Sequence, residues 1–185
     1  MKKVIKPETF LRIGEFDVTE LAELVDRLSD KLWSAEDERK ENKFSVFHHT
    51  QHIIFRFPPG NKNPTEFYTN PIWEIWKDRL LPLMEGITNN YGHTRRQYSK
   101  IMLARLLAGH KIERHVDGAG ANLLTHKVHV PLITNQGALF TIENETRHLE
   151  YGTAYEVNNI VRHAAENNGE EHRVHLIFEH FDEAA

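Results

Sequence analysis

His115-Val-Asp117 sets an imidazole and a carboxylate at i and i+2. On an extended segment both project to one side and can take adjacent positions on one metal ion. A second imidazole, His163, follows several short runs later, and Arg173 comes after it on the last apolar run. Two imidazoles and one carboxylate leave three positions open on an octahedral iron(II), room for a bidentate 2-oxo acid and dioxygen. The far carboxylate of such an acid needs a cation. A guanidinium suits that task, because it stays charged and grips a carboxylate with two parallel hydrogen bonds. Thirteen histidines make about half a chance His-x-Asp match expected from composition, and a second match, His180-Phe-Asp182, does occur. It stands too close to the end of the sequence for later residues to complete a site, and it reads as a chance pair at a strand end.

These residues need rigid elements to hold them. Val18 to Trp33 repeats apolar residues at helical spacing, and Ala35 to Lys43 reads as a solvated charged run. Phe44 to Phe57 alternates as a strand and stops at Pro58-Pro59-Gly60. Pro71 to Tyr91 predicts a second amphipathic helix whose Trp73 and Trp76 belong to the core. From there the pattern turns all-β, with strands predicted at Tyr98–Leu107, Ile112–His115, Leu123–Ile133, Ala138–Ile142, Arg147–Leu149, Thr153–Val157, His163–Ala165 and Arg173–Phe181. This is a mainly β fold with flanking helices, a jelly-roll or cupin-like barrel, which avoids open edges and encloses a cavity. One domain is expected over 1–185, with a region of about 1–92 packed on a barrel of about 93–181. On the last strand Arg173, His175, Ile177 and Glu179 share one face, and an inward setting of that face aims Arg173 into the barrel.

Composition narrows the chemistry. With no cysteine, zinc-thiolate sites, iron–sulfur clusters and thiol nucleophiles are excluded, so a metal must take nitrogen and oxygen ligands. A net charge of −4 supplies no footprint for nucleic acid or an anionic membrane, and favours a small-molecule or peptide substrate. No stretch is apolar enough for a signal-peptide core or a membrane span, which predicts a cytoplasmic address.

The ordered elements Arg105-Leu106…Gly109…Ile112-Glu-Arg-His115-Val-Asp117-Gly118, Lys127-Val-His129-Val-Pro131-Leu132, Gly152…Glu156-Val-Asn158-Asn159…His163-Ala…Asn167 and Arg173-Val-His-Leu-Ile-Phe178 resemble the aspartyl/asparaginyl β-hydroxylase family of Fe(II)/2-oxoglutarate-dependent dioxygenases. The resemblance spans roughly residues 45 to 181 and is closest in motif to bacterial hydroxylases of free amino acids. It implies a double-stranded β-helix, iron(II) on His115, Asp117 and His163, 2-oxoglutarate on Arg173, and dioxygen as the oxidant. It also implies a second cosubstrate-binding pair at Lys127 and His129. The reaction implied is hydroxylation of an amino acid, an amino-acid derivative or a peptide side chain, with succinate and carbon dioxide as co-products. The sequence departs from the family at Lys127, where the family has arginine, and at Ala104, where some relatives carry serine. Some animal members have only the two histidines, whereas here Asp117 completes a triad.

His52 and Arg56, on the strand that family members set near the cavity mouth, are candidate substrate contacts, as are Arg147 and Asn159. Each has a plainer reading: Arg147 can pair with Glu145, and Asn158-Asn159 either steadies a metal-bound imidazole or shapes a turn. His48-His49-Thr-Gln-His52 could offer at most His48 and His52 to one side of a strand. A rival function is a non-oxidative cupin-like metal protein, an isomerase or sensor. Such a protein has no evident need for Arg173.

Overall fold

The computed structural model describes residues 1–40 and 47–185. Its elements run β1 (Phe10–Glu15), α1 (Thr19–Asp26), α2 (Asp30–Asp37), β2 (Thr50–Phe57), β3 (Tyr68–Thr69), α3 (Trp73–Thr88) and β4 (Arg96–Leu106). They continue β5 (His110–His115), β6 (His126–Ile133), β7 (Ala138–Ile142), β8 (Glu145–His148), β9 (Thr153–Val157), β10 (His163–Asn167) and β11 (Arg173–Asp182). A seven-stranded sheet has the order β1-β9-β6-β11-β4-β2-β3, and a four-stranded sheet has the order β5-β10-β7-β8. Strands β4 to β11 pass back and forth between the two sheets, the path of a jelly roll.

The pleat of the large sheet separates two kinds of interior. Val174, Leu176 and Phe178 of β11, Ile101 and Leu103 of β4, and Ile53 and Phe55 of β2 face the helices. There they meet Leu21 and Val25 of α1, Trp33 of α2, and Trp73, Trp76, Leu80, Met84 and Ile87 of α3. The opposite face carries Met102, Ala104 and Ile177 toward the small sheet, where Phe140, Ile142 and Ala165 close the barrel with Tyr155 and Val157 of β9. As expected, both tryptophans are core: Phe55 packs on Trp73 and Trp76 with ring centroids 6.1 and 5.7 Å apart.

Several features differ from the sequence reading. The expected helix from Val18 to Trp33 is two helices, because Ser29 leaves the helical conformation and its side chain accepts the Leu32 backbone N–H, starting α2 afresh. Helix α2 then runs on to Asp37, into the charged run. The expected strand beginning at Leu123 begins at His126, since residues 121–123 form a 3-10 turn that Thr125 Oγ1 fastens by donating to the Ala121 carbonyl. Strand β1 was not legible, and it exists because the β9 edge pairs with it, Phe10 opposite Val157. The region ahead of the barrel therefore supplies three strands of the large sheet as well as packing against it. The strand expected from Phe44 begins at Thr50, since Phe47 to His49 form a turn whose Phe47 carbonyl accepts from Thr50 Oγ1 at 2.9 Å; Phe44 to Val46, and Glu41 to Lys43 of the charged run, lie outside the described residues. Among the described residues no helix is long and apolar enough to cross a membrane.

Helix α3 is the main cover of the large sheet, and Leu80 is fully buried at its centre. Leu80→Ala is expected to lower unfolding free energy by about 2–5 kcal/mol in urea titration; a loss under about 1 kcal/mol would mean that the helix collapses freely onto the sheet.

Candidate active site

His115 ends β5, His163 begins β10, and the two residues are direct partners across that antiparallel pair. The register shifts just beyond His163, a local irregularity of the kind that re-aims side chains beside functional sites. Asp117 is drawn to the same point because its backbone N–H donates to the Asn159 carbonyl at 3.1 Å. Asp117 Oδ1 lies 3.7 Å from His115 Nε2 and 3.8 Å from His163 Nε2. The three ligand atoms lie within 4.8 Å of one another, the one such His/Asp/Glu group among the described residues.

Both rings are set in one tautomer. His115 Nδ1–H donates to the Glu113 carbonyl at 2.7 Å, and His163 Nδ1–H donates to the Val161 carbonyl at 2.9 Å. Their Nε2 lone pairs are left for a metal. The carboxylate is equally constrained: Asp117 Oδ2 accepts from Lys127 Nζ at 2.6 Å and from Asn159 Nδ2 at 3.0 Å, so Oδ1 remains free. Burial alone would push the Asp117 carboxyl up, but Lys127, then His163 and Lys100, more than offset it and hold it far below the usual range. The donor set, two neutral imidazoles and one carboxylate with no thiolate, fits a divalent ion such as iron(II).

These groups share a cavity of about 660 Å³ between the sheets. Arg173 also lines it, 4% exposed. Its Nη1 reaches His175 Nδ1 at 3.3 Å, its Nε has no partner, and it forms no ion pair among the described residues. Burial pulls its pKa down to about 10. Beside it His129 packs against Phe140 and His175, and the Nε2 atoms of both histidines are also without partners. A buried cation in the cavity wall beside His129, with no anion among the described residues, calls for one as a ligand. A dicarboxylate cosubstrate fits that demand.

Of the other candidates, His52 lines the cavity, held by Asp37, which accepts its backbone N–H at 2.9 Å. Asn159 also lines it. Lys127 is present, but its ammonium sits on Asp117. Arg56 is absent from the lining: a register shift between Ile54 and Arg56 turns it onto Phe67 and Trp73, its guanidinium 5.2 and 4.8 Å from their rings. Arg147 is absent as well, paired with Glu145 and lying over Phe10. His48 is exposed, and His49 stacks on His110 at 3.9 Å. His180 and Asp182, the chance pair, belong to no metal group among the described residues: His180 bonds His93, and Asp182 accepts the Thr94 and Arg95 backbone N–H groups.

The sequence reading missed Phe47, whose ring meets that of His115 at 5.4 Å, and Lys100, which lines the cavity and pairs with buried Glu179 at 2.6 Å. Period-two counting along Lys100-Ile-Met-Leu-Ala104 could have found Lys100. It also missed how the mouth is built. Gly120, at φ +95, presses so closely on the loop at Asn61 that a Cβ there would lie 2.7 Å from the Asn61 carbonyl oxygen. The two loops 118–122 and 60–62 are thereby brought together at the rim.

A family model for aspartyl/asparaginyl β-hydroxylases matches residues 75–182. No relative is found among curated proteins. Among solved structures, a non-heme monooxygenase, ThoJ in complex with nickel, superposes with a TM-score of 0.58 at 12% identity, covering 94% of this chain and 74% of that one. The viral collagen prolyl hydroxylase of Paramecium bursaria Chlorella virus-1, in its 2OG complex, gives 0.54 at 10% identity over 94% and 96%. An oxidoreductase of the 2OG-Fe(II) oxygenase family from Burkholderia pseudomallei gives 0.53 at 14% over 92% and 93%. At these identities the likeness is one of fold.

Two stability measurements follow from the buried charges. Arg173→Met is expected to raise the stability of the ligand-free protein by about 1–3 kcal/mol, since it removes an unpaired buried charge; a loss of stability would mean that Arg173 has a structural partner. His52, His129, His175 and His180 are all pushed below the ordinary imidazole value of 6.5, burial being the largest cause for each. They stay neutral in the fold where the unfolded chain would protonate, so stability falls as pH drops through 6.5, by up to about 1.4 kcal/mol per pH unit for each. Urea midpoints of the metal-free protein that stay flat from about pH 7 to about pH 5 would contradict this.

Proposed function

The chain belongs to the aspartyl/asparaginyl β-hydroxylase family, and from that premise we propose that it is a 2-oxoglutarate-dependent non-haem iron hydroxylase. Its prime substrate is an amino acid, an amino-acid derivative or a peptide side chain, oxidised at an unactivated C–H bond. The observation that carries this reading is Arg173, a buried guanidinium with no anion of its own among the described residues, in the same cavity as the His115, Asp117 and His163 triad.

Iron(II), 2-oxoglutarate and dioxygen together supply oxidative decarboxylation, giving succinate and carbon dioxide, coupled to insertion of an oxygen atom into the substrate bond. The chain's own residues do the positioning. His115 and His163 present Nε2, and Asp117 presents Oδ1, while Lys127 and Asn159 hold its other oxygen. Arg173, with His129 beside it, takes the distal carboxylate of the cosubstrate. Lys127 is assigned to the metal ligand it touches, which supports His129 and Arg173 as the pair that binds cosubstrate. Met102, Ile112, Phe140 and Ile177 line the cavity and keep water from the reacting atoms.

The cavity volume, shared with a five-carbon diacid, favours a small substrate or one protruding side chain. Net charge of −4 favours no nucleic-acid partner, and a cytoplasmic setting belongs to the same reading.

Anaerobic loading with iron(II), 2-oxoglutarate and ascorbate, followed by air and a panel of free amino acids and short peptides, is expected to yield succinate that rises with one panel member. His115→Ala should abolish it. Metal binding without succinate above the mutant's level would instead support a non-oxidative metal barrel.

A further inference from the structure

The N-terminal stretch is laid across the loops that carry the site. Val4 N–H donates to the Leu123 carbonyl at 3.1 Å, Asn158 N–H to Thr9 at 2.9 Å, and Asn158 Nδ2 to the Pro7 carbonyl at 2.9 Å. This brings Lys6 to Asn159, the amide that contacts Asp117. Its ammonium donates to the Thr125 carbonyl at 2.7 Å and to Asn159 Oδ1 at 2.8 Å.

An ammonium can only donate, a carboxylate can only accept, and a side-chain amide has one end of each kind. Lys6 therefore holds the oxygen end of Asn159 toward itself and leaves the NH₂ end for Asp117 Oδ2, 3.0 Å away. Neighbouring groups agree in polarity: Asn159 Nδ2 also donates to Asn122 Oδ1 at 3.1 Å, Lys100 Nζ donates to that oxygen at 3.5 Å, and Asn122 Nδ2 donates to the Gly118 carbonyl at 2.5 Å. Reversing any one amide would set acceptor against acceptor. Lys6 is the group that anchors the oxygen end of the Asn159 amide; without it the side chain keeps its polarity but loses the contact that fixes its NH₂ end against Asp117 Oδ2.

We propose that Lys6 is a positioning residue for the metal centre: acting through Asn159, it orients the Asp117 carboxylate so that Oδ1 alone is offered to the metal. The inference rests on the reading of His115, Asp117 and His163 as metal ligands. Outer partners of metal ligands commonly change affinity by about 10- to 100-fold. They also change the symmetry of the ligand field, which a purely structural role would not.

Cobalt(II) titration, followed by its visible absorption bands, tests this on wild type, Lys6→Met, Asn159→Ala and the double variant, with thermal melting of each metal-free protein. Lys6→Met is expected to weaken cobalt(II) binding roughly tenfold or more, to change the band pattern, to leave the metal-free melting temperature little altered, and to cost nothing further in the Asn159→Ala background. Unchanged affinity and bands in Lys6→Met would overturn the proposal alone. So would an equal further loss in the Asn159→Ala background, or a loss that tracks melting of the metal-free protein. Wild type that binds cobalt(II) no better than His115→Ala would remove the metal-site reading, and this proposal with it.

Discussion

Every residue of β11 from Arg173 to Phe181 is buried, and the pleat sends alternate residues into two different interiors. One side must be apolar, because it meets α1, α2 and α3 with no room for water. The other carries Arg173, His175 and Glu179, a placement tolerable only where a cavity or a partner satisfies them. The same division runs through the strands beside it: Leu103 and Val130 face the helices, whereas Ala104 and His129 face the cavity. The site is thus the polar face of a sheet whose apolar face holds the fold together.

The two ends of that polar face are managed differently. Around Glu179, charge is balanced within the chain: Lys100 pairs with it at 2.6 Å, Thr125 Oγ1 donates to it at 2.9 Å, and Lys127 bridges toward Asp117. Around Arg173 no described residue balances it. Preorganised, unsatisfied groups cost stability in the free protein and gain it back on binding, the usual relation between a ligand site and its fold. Lys127 is kept protonated against its burial by Asp117 and Glu179, so the metal carboxylate and the buried glutamate form one connected electrostatic unit.

Much of this arrangement was legible along the chain. His115-x-Asp117 lies at the end of one strand and His163 at the start of another, and period-two counting put Arg173 on one face with His175, Ile177 and Glu179, while which face turned inward was left to the pairing. What alternation alone could not resolve was Arg56: a single register shift between Ile54 and Arg56 breaks the alternation and moves it from the cavity side to a packed position on Trp73. Ser29 likewise ends one helix and starts another through a local hydrogen bond that apolar periodicity does not register.

The sequence by itself determined the types of group available, nitrogen and oxygen ligands without thiols, and their order on alternating strands, because strand periodicity and composition are local properties. Only the tertiary structure decided which of thirteen histidines meet. His163 faces His115 through a ladder between distant strands, Lys6 reaches Asn159 from the far end of the chain, and β1 takes its strand form from the β9 edge. Pairing and polarity of that kind are set by contacts between segments far apart in sequence, and those exist only once the sheets have closed.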